Sequence, residues 1–389
     1  MHIVHVITRL IIGGAQENTV LTCRGLVEKG HRVTLVAGTE TGPEGSLWNE
    51  AERAGCELIR LEPLRRAVRP WADVAAYRAL RKLFRRVKPD VVHTHSSKAG
   101  ILGRRAAHSA GVPVIVHTIH GMSFNRTQPG PIRAVYRHLE RRAARYTNRL
   151  ITVADAMIEQ AVAAGVAPRE RFVTVYSGME TDRFRPDRSM RERVRSDWGV
   201  GEDDVVAGTI GRLFENKGYE EIIEAMPSAI ARAPRLRFVW IGDGAHRSEY
   251  ERRLTALGLR DRVRFVGLVA PVEVARLING FDLLVHASRW EGLPRVAVQA
   301  LLTEVPAVSF DNDGAPEVVI PGETGLLVPY GDTDGLAEAI GILAGDPNGR
   351  AVMGRRGRAL CVQRFDWRRM VDELEFVYRR SWESCGAGL

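Results

Sequence analysis

The sequence predicts an α/β chain built as two doubly wound parallel-sheet domains in series. Three observations carry that reading. Short β-branched runs alternate with helical patterns from end to end. Most of these runs are continuously apolar, as strands buried on both faces of a parallel sheet are. The chain, at 389 residues and 45% hydrophobic, is also larger than one small core organises.

In order, the expected strands of the first domain are Ile3–Ile7, Arg32–Val36, Glu57–Leu61, Val91–Thr94, Val114–Thr118, Leu150–Val153 and Phe172–Tyr176. Those of the second are Val205–Ile210, Leu236–Ile241, Val263–Val266, Leu283–His286 and Ala307–Phe310. Between them, Gly178, Pro186 and a cluster of charges interrupt the alternation. The domains are therefore expected over residues 1–182 and 190–365. Met370, Leu374, Val377 and Tyr378 follow at helical spacing, so a helix over 366–385 is expected to pack back on the first domain.

Composition narrows the function. Residues 1–186 hold 29 Lys and Arg against 16 Asp and Glu, while 187–389 hold 27 against 31. A basic half beside a slightly acidic one points to an anionic partner: nucleic acid, membrane or a phosphorylated substrate. The longest uncharged stretch, Ala106–Asn125, is too polar to span a bilayer. The first residues do not read as a signal peptide, being interrupted by His2, His5 and Arg9. Cys23, Cys56, Cys361 and Cys385 lie far apart, so neither zinc nor a disulfide framework is indicated and a reducing cytoplasm is expected.

In open α/β sheets ligands bind beyond the carboxyl ends of strands, so the residues just after strands come first. After the first strand, Gly13 and Gly14 open a helix, which suits either a tight turn or an anion held on exposed N–H groups. This is not the G-x-G-x-x-G fingerprint, and no acid ends the second strand, which counts against a dinucleotide-dependent dehydrogenase. After the fourth strand, Ser96 reads as a helix cap. Lys98 sits where a cation opposes the helix dipole and is expected to reach an anionic ligand or a carboxylate. His93 and His95 are expected on opposite sides of their strand, without a shared metal site. His120, followed by Gly121, is placed to project from the end of the fifth strand.

In the second half, Gly211-Arg212 ends a strand and Lys217, the one lysine beyond residue 186, opens a helix. The pair is read as a clamp for a pyrophosphate. Gly242-Asp243-Gly244 is a backbone-exposing turn suited to a nucleotide. Glu291-Gly292-Leu293-Pro294-Arg295 leads into a helix, with Pro294 expected in its first turn. Glu317, after Asp313-Gly314, is a second acidic candidate in what reads as the same loop-to-helix arrangement.

Together the stretches His93–Arg104, His117–Phe124, Gly211–Gly218, Glu291–Pro306 and Gly322–Pro329 resemble the retaining glycosyltransferases of family 4, over nearly the whole chain. The resemblance implies a GT-B fold of two Rossmann-like domains facing each other across a cleft, acceptor side first. It implies that Gly13 and Gly14 face acceptor and donor phosphate, that His120 contacts the transferred sugar, and that Arg212 and Lys217 hold the nucleotide diphosphate. Glu291 matches the first glutamate of the E-x7-E motif, on the donor sugar, with the amides of Gly292 to Arg295 on the distal phosphate. Gln299 stands where the second glutamate should be, an amide for a carboxylate on the ribose, with an expected cost of ~1 kcal/mol in binding. Gly211, Gly242 and Gly244 join the donor set, and His95, Lys98 and Ser123 are the acceptor-side candidates.

The expected function is retaining transfer of a hexose from a nucleotide-diphospho-sugar, UDP- before GDP-, to a glycan or polyprenyl-phosphate-linked acceptor. No metal or cofactor is expected, because fixed cations replace it. An epimerase on the same scaffold and a non-catalytic sugar-nucleotide binder are the alternatives. Nucleic acid drops away, since the arginines carry no interleaved aromatic platform. The helix over Tyr77–Lys88 has Leu80, Phe84 and Val87 on one side and five basic residues around the other. It is read as a surface helix packed on the sheet, or as a peripheral attachment to an anionic inner membrane face.

Overall fold

The computed structural model of the chain describes residues 1–42, 45–124 and 128–386. It divides into two compact units: Met1–Gly178 with Trp367–Leu389, and Met179–Asp366.

In the first unit, β1 (His2–Arg9), β2 (Arg32–Gly38), β3 (Glu57–Arg60), β4 (Val91–His95), β5 (Val114–Ile119), β6 (Arg149–Thr152) and β7 (Phe172–Thr174) form one sheet in the order β3-β2-β1-β4-β5-β6-β7. Every pairing is parallel. β1 shows why the sequence folds this way. Its six central residues, Ile3 to Thr8, are all buried, as in a strand covered by helices on both faces. The helix Trp367–Ser384 lies in this unit's core through Trp367, Met370, Val371, Leu374, Val377 and Tyr378.

The second unit carries β8 (Val205–Ile210), β9 (Leu236–Ile241), β10 (Val263–Gly267), β11 (Leu283–His286), β12 (Ala307–Asp311) and β13 (Gly325–Pro329), in the order β10-β9-β8-β11-β12-β13 and again all parallel. Both sheets reverse winding at one point, between β1 and β4 and between β8 and β11. Chain leaving the carboxyl ends there parts and opens a crevice in each unit.

Three expectations change. β13 is a strand the sequence pattern missed, because a five-residue run opened by Gly and closed by Pro carries little strand signal. It pairs with β12, and Gly325 comes so close that a Cβ would collide with the Ala307 carbonyl. The helix expected from Tyr77 begins at Pro70, a residue suited to a first helical position, and runs to Val87. Its apolar side is spent inside the unit, with Ala76, Leu80, Leu83 and Phe84 buried, so that side is not available to a bilayer. Among the described residues no helix is long and apolar enough to cross a membrane.

Candidate active site

In the first unit the switch point gathers the ends of β1, β4 and β5. Gly13 is the extended residue ahead of the helix Gly14–Glu28, which has no side-chain cap. Its first-turn N–H groups are thus presented at the carboxyl edge of the sheet. Ser96 stands at the cap position of the helix Ser97–Ala110 but does not cap it. Its φ is +60°, and its hydroxyl shares a 2.7 Å hydrogen bond with that of Thr8. The Thr8 hydroxyl takes over the cap, accepting from the Ala99 N–H at 3.1 Å.

His93 and His95 do not face opposite sides. Positions two apart on a strand share a face, and their rings lie 4.2 Å apart. His5, in register with His93, joins them, so ring nitrogens of all three fall within 4.8 Å of one another. Hydrogen bonds already occupy this cluster. His93 is bonded to the Tyr378 hydroxyl at 2.6 Å and to the Thr118 hydroxyl at 2.7 Å. His5 Nδ1 meets His95 Nε2 at 3.0 Å, and His95 Nδ1 meets His120 Nε2 at 3.1 Å. A metal would have to displace these bonds. His95, an acceptor-side candidate, is 1% exposed, and its two ring nitrogens meet His5 and His120. Burial drives the pKa of His5 down to about 3 and those of His93, His95 and His117 well below the ordinary value, so these rings are neutral at pH 7.

Lys98 finds a carboxylate: its Nζ bonds Asp73 at 2.6 Å and also the Ala67 carbonyl. Ser123 donates to Glu140 at 3.3 Å, and Glu140 holds the buried Arg104 at 2.6 Å. Two cavities meet at Ser96, Ser97 and Ser123. One of about 260 Å³ is also lined by Ala15, His120 and Glu140. The other, about 480 Å³, takes in Arg9, Arg66 and Lys98.

In the second unit the site lies after β8, β11 and β12. Arg212 is exposed just past β8. Lys217 closes a single 3-10 turn, Glu215–Lys217, ahead of the helix Tyr219–Arg232. Gly218 joins them at φ +72°, where a Cβ would strike the Ala287 carbonyl; only glycine lets this turn approach the end of β11. Lys217 Nζ is hydrogen-bonded to Glu291, 74 residues away. Burial alone would raise the Glu291 pKa, but the Lys217 charge and bonds from Lys217 and Ser288 outweigh it and lower the pKa. Glu291 is therefore a carboxylate at neutral pH. Beside it, His286 Nε2 is 3.8 Å away, and burial holds this histidine at about 4.

The Glu291 N–H donates to Asp313 at 2.7 Å, and Asp313 has φ +47°. Left-handed non-glycine backbone thus stands after β4 at Ser96 and after β12 at Asp313, as it also does at Lys88 and Glu304 outside the two sites. Arg289 ties this loop to the helix Tyr219–Arg232 through Glu221 at 2.8 Å.

Several expectations about this loop are corrected. Pro294 precedes the helix Arg295–Leu302 and is not in its first turn. It also has no N–H, so amides of this loop come from Gly292, Leu293 and Arg295 alone. The Leu293 side chain is buried. Gln299 lies one turn into the same helix and is half-buried. Glu317 ends a 3-10 turn, Ala315–Glu317, and opens no α-helix. Gly242 and Gly244 fit under the Gly211–Leu213 chain, where a Cβ on either would strike a carbonyl, so packing alone requires these glycines. His286, Asp313, His5 and Thr8 escaped the sequence reading. Each acts across the sheet, with no signal in its own segment.

Two Rossmann-like parallel sheets in one chain, each with its crevice at the winding reversal, are the architecture of GT-B glycosyltransferases. The comparisons agree. Residues 13–178 match the profile described as glycosyl transferase 4-like domain, and 190–360 that of glycosyl transferases group 1. The chain is 31% identical to EpsD of Bacillus subtilis over 322 residues, 81% of this chain and 83% of EpsD. It is 27% identical to the UDP-Gal:alpha-D-GlcNAc-diphosphoundecaprenol alpha-1,3-galactosyltransferase of Escherichia coli, covering 97% of this chain and 96% of that enzyme. In fold it matches the crystal structure of Anabaena HepE in complex with UDP-glucose at a TM-score of 0.83 and 22% identity, over 98% of this chain and 100% of HepE. The chain belongs to the group 1 glycosyl transferases, with a glycosyl transferase 4-like first domain.

Proposed function

We propose that this glycosyltransferase is a retaining enzyme that moves a hexose from a UDP-linked donor to a hydroxyl of a lipid-linked or glycan acceptor, without a metal. The observation that carries this reading is the Lys217–Glu291 pair at the reversal between β8 and β11. It sets an ammonium for diphosphate oxygens beside a carboxylate for sugar hydroxyls. The Lys217 ammonium favours the carboxylate form of Glu291, and the start of the helix Arg295–Leu302 adds N–H groups for the distal phosphate.

Arg212, Lys217 and those amides stabilise charge that grows on the leaving diphosphate. As the bond from C1 to the diphosphate oxygen breaks, the acceptor oxygen bonds to C1 on the same face, and its proton passes to a diphosphate oxygen. Gly13 and Gly14, His120 and Ser123 serve the sugar and the acceptor, and Gln299 the ribose. The names of the E. coli relative and of the HepE complex support the choice of UDP and of a diphospholipid-linked acceptor. The basic first unit supports an anionic acceptor or an anionic membrane surface.

The test is incubation with UDP-glucose, UDP-galactose and GDP-mannose, with and without a chelator, using polyprenyl-diphosphate-linked and soluble sugar acceptors. UDP release dependent on acceptor, unaffected by the chelator and giving an α-linked product, is the expected result. A β-linked product, a metal requirement or an epimerised nucleotide sugar overturns the corresponding part.

A further inference from the structure

Two ring contacts run in line across one face of the first sheet, from His5 to His95 to His120. His5 is fully buried and His95 nearly so, and His5 Nε2 has no partner among the described residues. His93 does not compete for these contacts, because its two nitrogens are taken by Tyr378 and Thr118.

A neutral imidazole has one N–H and one lone pair, so the row has two self-consistent arrangements. In one, His120 Nε2–H donates to His95, His95 Nε2–H donates to His5, and a buried N–H is left on His5 Nε2 with no acceptor. In the other, His5 Nδ1–H donates to His95 Nε2 and His95 Nδ1–H donates to His120 Nε2. Only a lone pair is then left over on His5. An orphaned buried N–H is the rarer and costlier defect, so the second arrangement prevails. It requires both inner rings to be neutral, and their burial keeps them so.

We propose that His5 and His95 are positioning residues that hold His120 as its Nδ1–H tautomer, so that it meets the donor sugar as a hydrogen-bond donor and not as a base. The role at the sugar rests on the function proposed above; the tautomer does not. With Nε2 committed to His95, His120 has no lone pair with which to deprotonate an acceptor. That suits a same-face transfer in which the acceptor proton leaves on the diphosphate.

The experiment is a long-range 1H–15N spectrum of the full chain labelled at histidine, with His120 assigned by difference against His120→Asn. The wild type is expected to show a bare Nε2 and a protonated Nδ1 at His120. In His95→Leu the tautomer is expected to change to Nε2–H. kcat should then fall by about tenfold or more, as it does when partners that orient metal-ligating histidines are removed, with little change in donor KM. In His95→Asn the amide N–H replaces Nδ1–H, so the wild-type tautomer and most of the activity should return. A protonated Nε2 in the wild type, or an unchanged tautomer in His95→Leu, overturns the proposal. Should His95→Leu fail to fold, the wild-type spectrum and His95→Asn still decide. The spectra need no substrate, so they stand apart from UDP release, which tests the donor reading.

Discussion

At the residue scale the donor reading turns on Lys217. Its ammonium is bonded to Glu291, and both side chains keep about a fifth of their surface exposed (22% and 23%). A pair that is mostly but not fully buried contributes modestly to folding, and its loss leaves Glu291 without its counter-charge, whereas a fixed cation at the leaving diphosphate acts where charge develops. Lys217→Ala should therefore lower turnover by about 10²- to 10³-fold while shifting the unfolding midpoint by only a few degrees. Turnover left intact, with Tm unchanged, shows that the diphosphate lies elsewhere. Gln299 gives a second measurement on the same loop-to-helix unit. If its amide only stands in for a carboxylate on the ribose, Gln299→Glu should tighten UDP by about fivefold, the equivalent of ~1 kcal/mol, in a calorimetric titration. Weaker binding instead means that the amide donates a bond the nucleotide needs.

At the scale of elements, β1, β4 and β5 set a row of histidines on one face of a buried sheet. His5, whose folded pKa is about 3 against 6.5 unfolded, takes up its proton only when the chain unfolds. The unfolded state binds more protons below pH 6.5, so stability falls as the pH drops through that window and levels off near pH 3. Between pH 6.5 and 4.5, His5 alone should remove about 2–3 kcal/mol from the urea-derived unfolding free energy. His93, His95 and His117 shift in the same direction and add to the loss. In His5→Leu the slope with pH should be shallower by one proton; an unchanged slope means that His5 is not neutral in the fold.

These elements also mark how far the sequence could be read. Strand positions and the ligand-facing edge follow from local apolar runs and from Gly and Arg placed just after them. Pairings across the sheet do not. Nothing near Glu291 announces that Lys217 bonds it, and nothing near Ser97 says that Thr8 caps that helix, because parallel neighbours are joined by long crossovers. The histidine row was within reach of strand periodicity alone, since His93 and His95 stand two apart; its extension to His5 needed the β1–β4 register.

At the scale of the whole molecule, charge divides along the same line as the fold. The first unit holds 31 Lys and Arg against 18 Asp and Glu, a balance of +13; the second holds 25 against 29, a balance of −4. The basic unit also exposes apolar side chains beside arginines: Val68 is 73% exposed and Trp71 89%, next to Arg65, Arg66 and Arg69. An exposed tryptophan among arginines suits a headgroup layer better than water, because its ring buries while the cations meet lipid phosphates. This locates the membrane-facing candidate at the start of the helix Pro70–Val87, where side chains are open, and away from its buried apolar side. The protein should then bind vesicles containing phosphatidylglycerol, bind phosphatidylcholine vesicles weakly, and come off as salt screens the surface. At about 1 kcal/mol per arginine, replacing Arg65, Arg66 and Arg69 with Gln should lower partitioning on the order of a hundredfold. Trp71→Ala should weaken binding while keeping its salt dependence. Equal binding to neutral vesicles, or binding indifferent to both salt and the three arginines, rules this surface out and leaves the positive balance to the acceptor's phosphates alone.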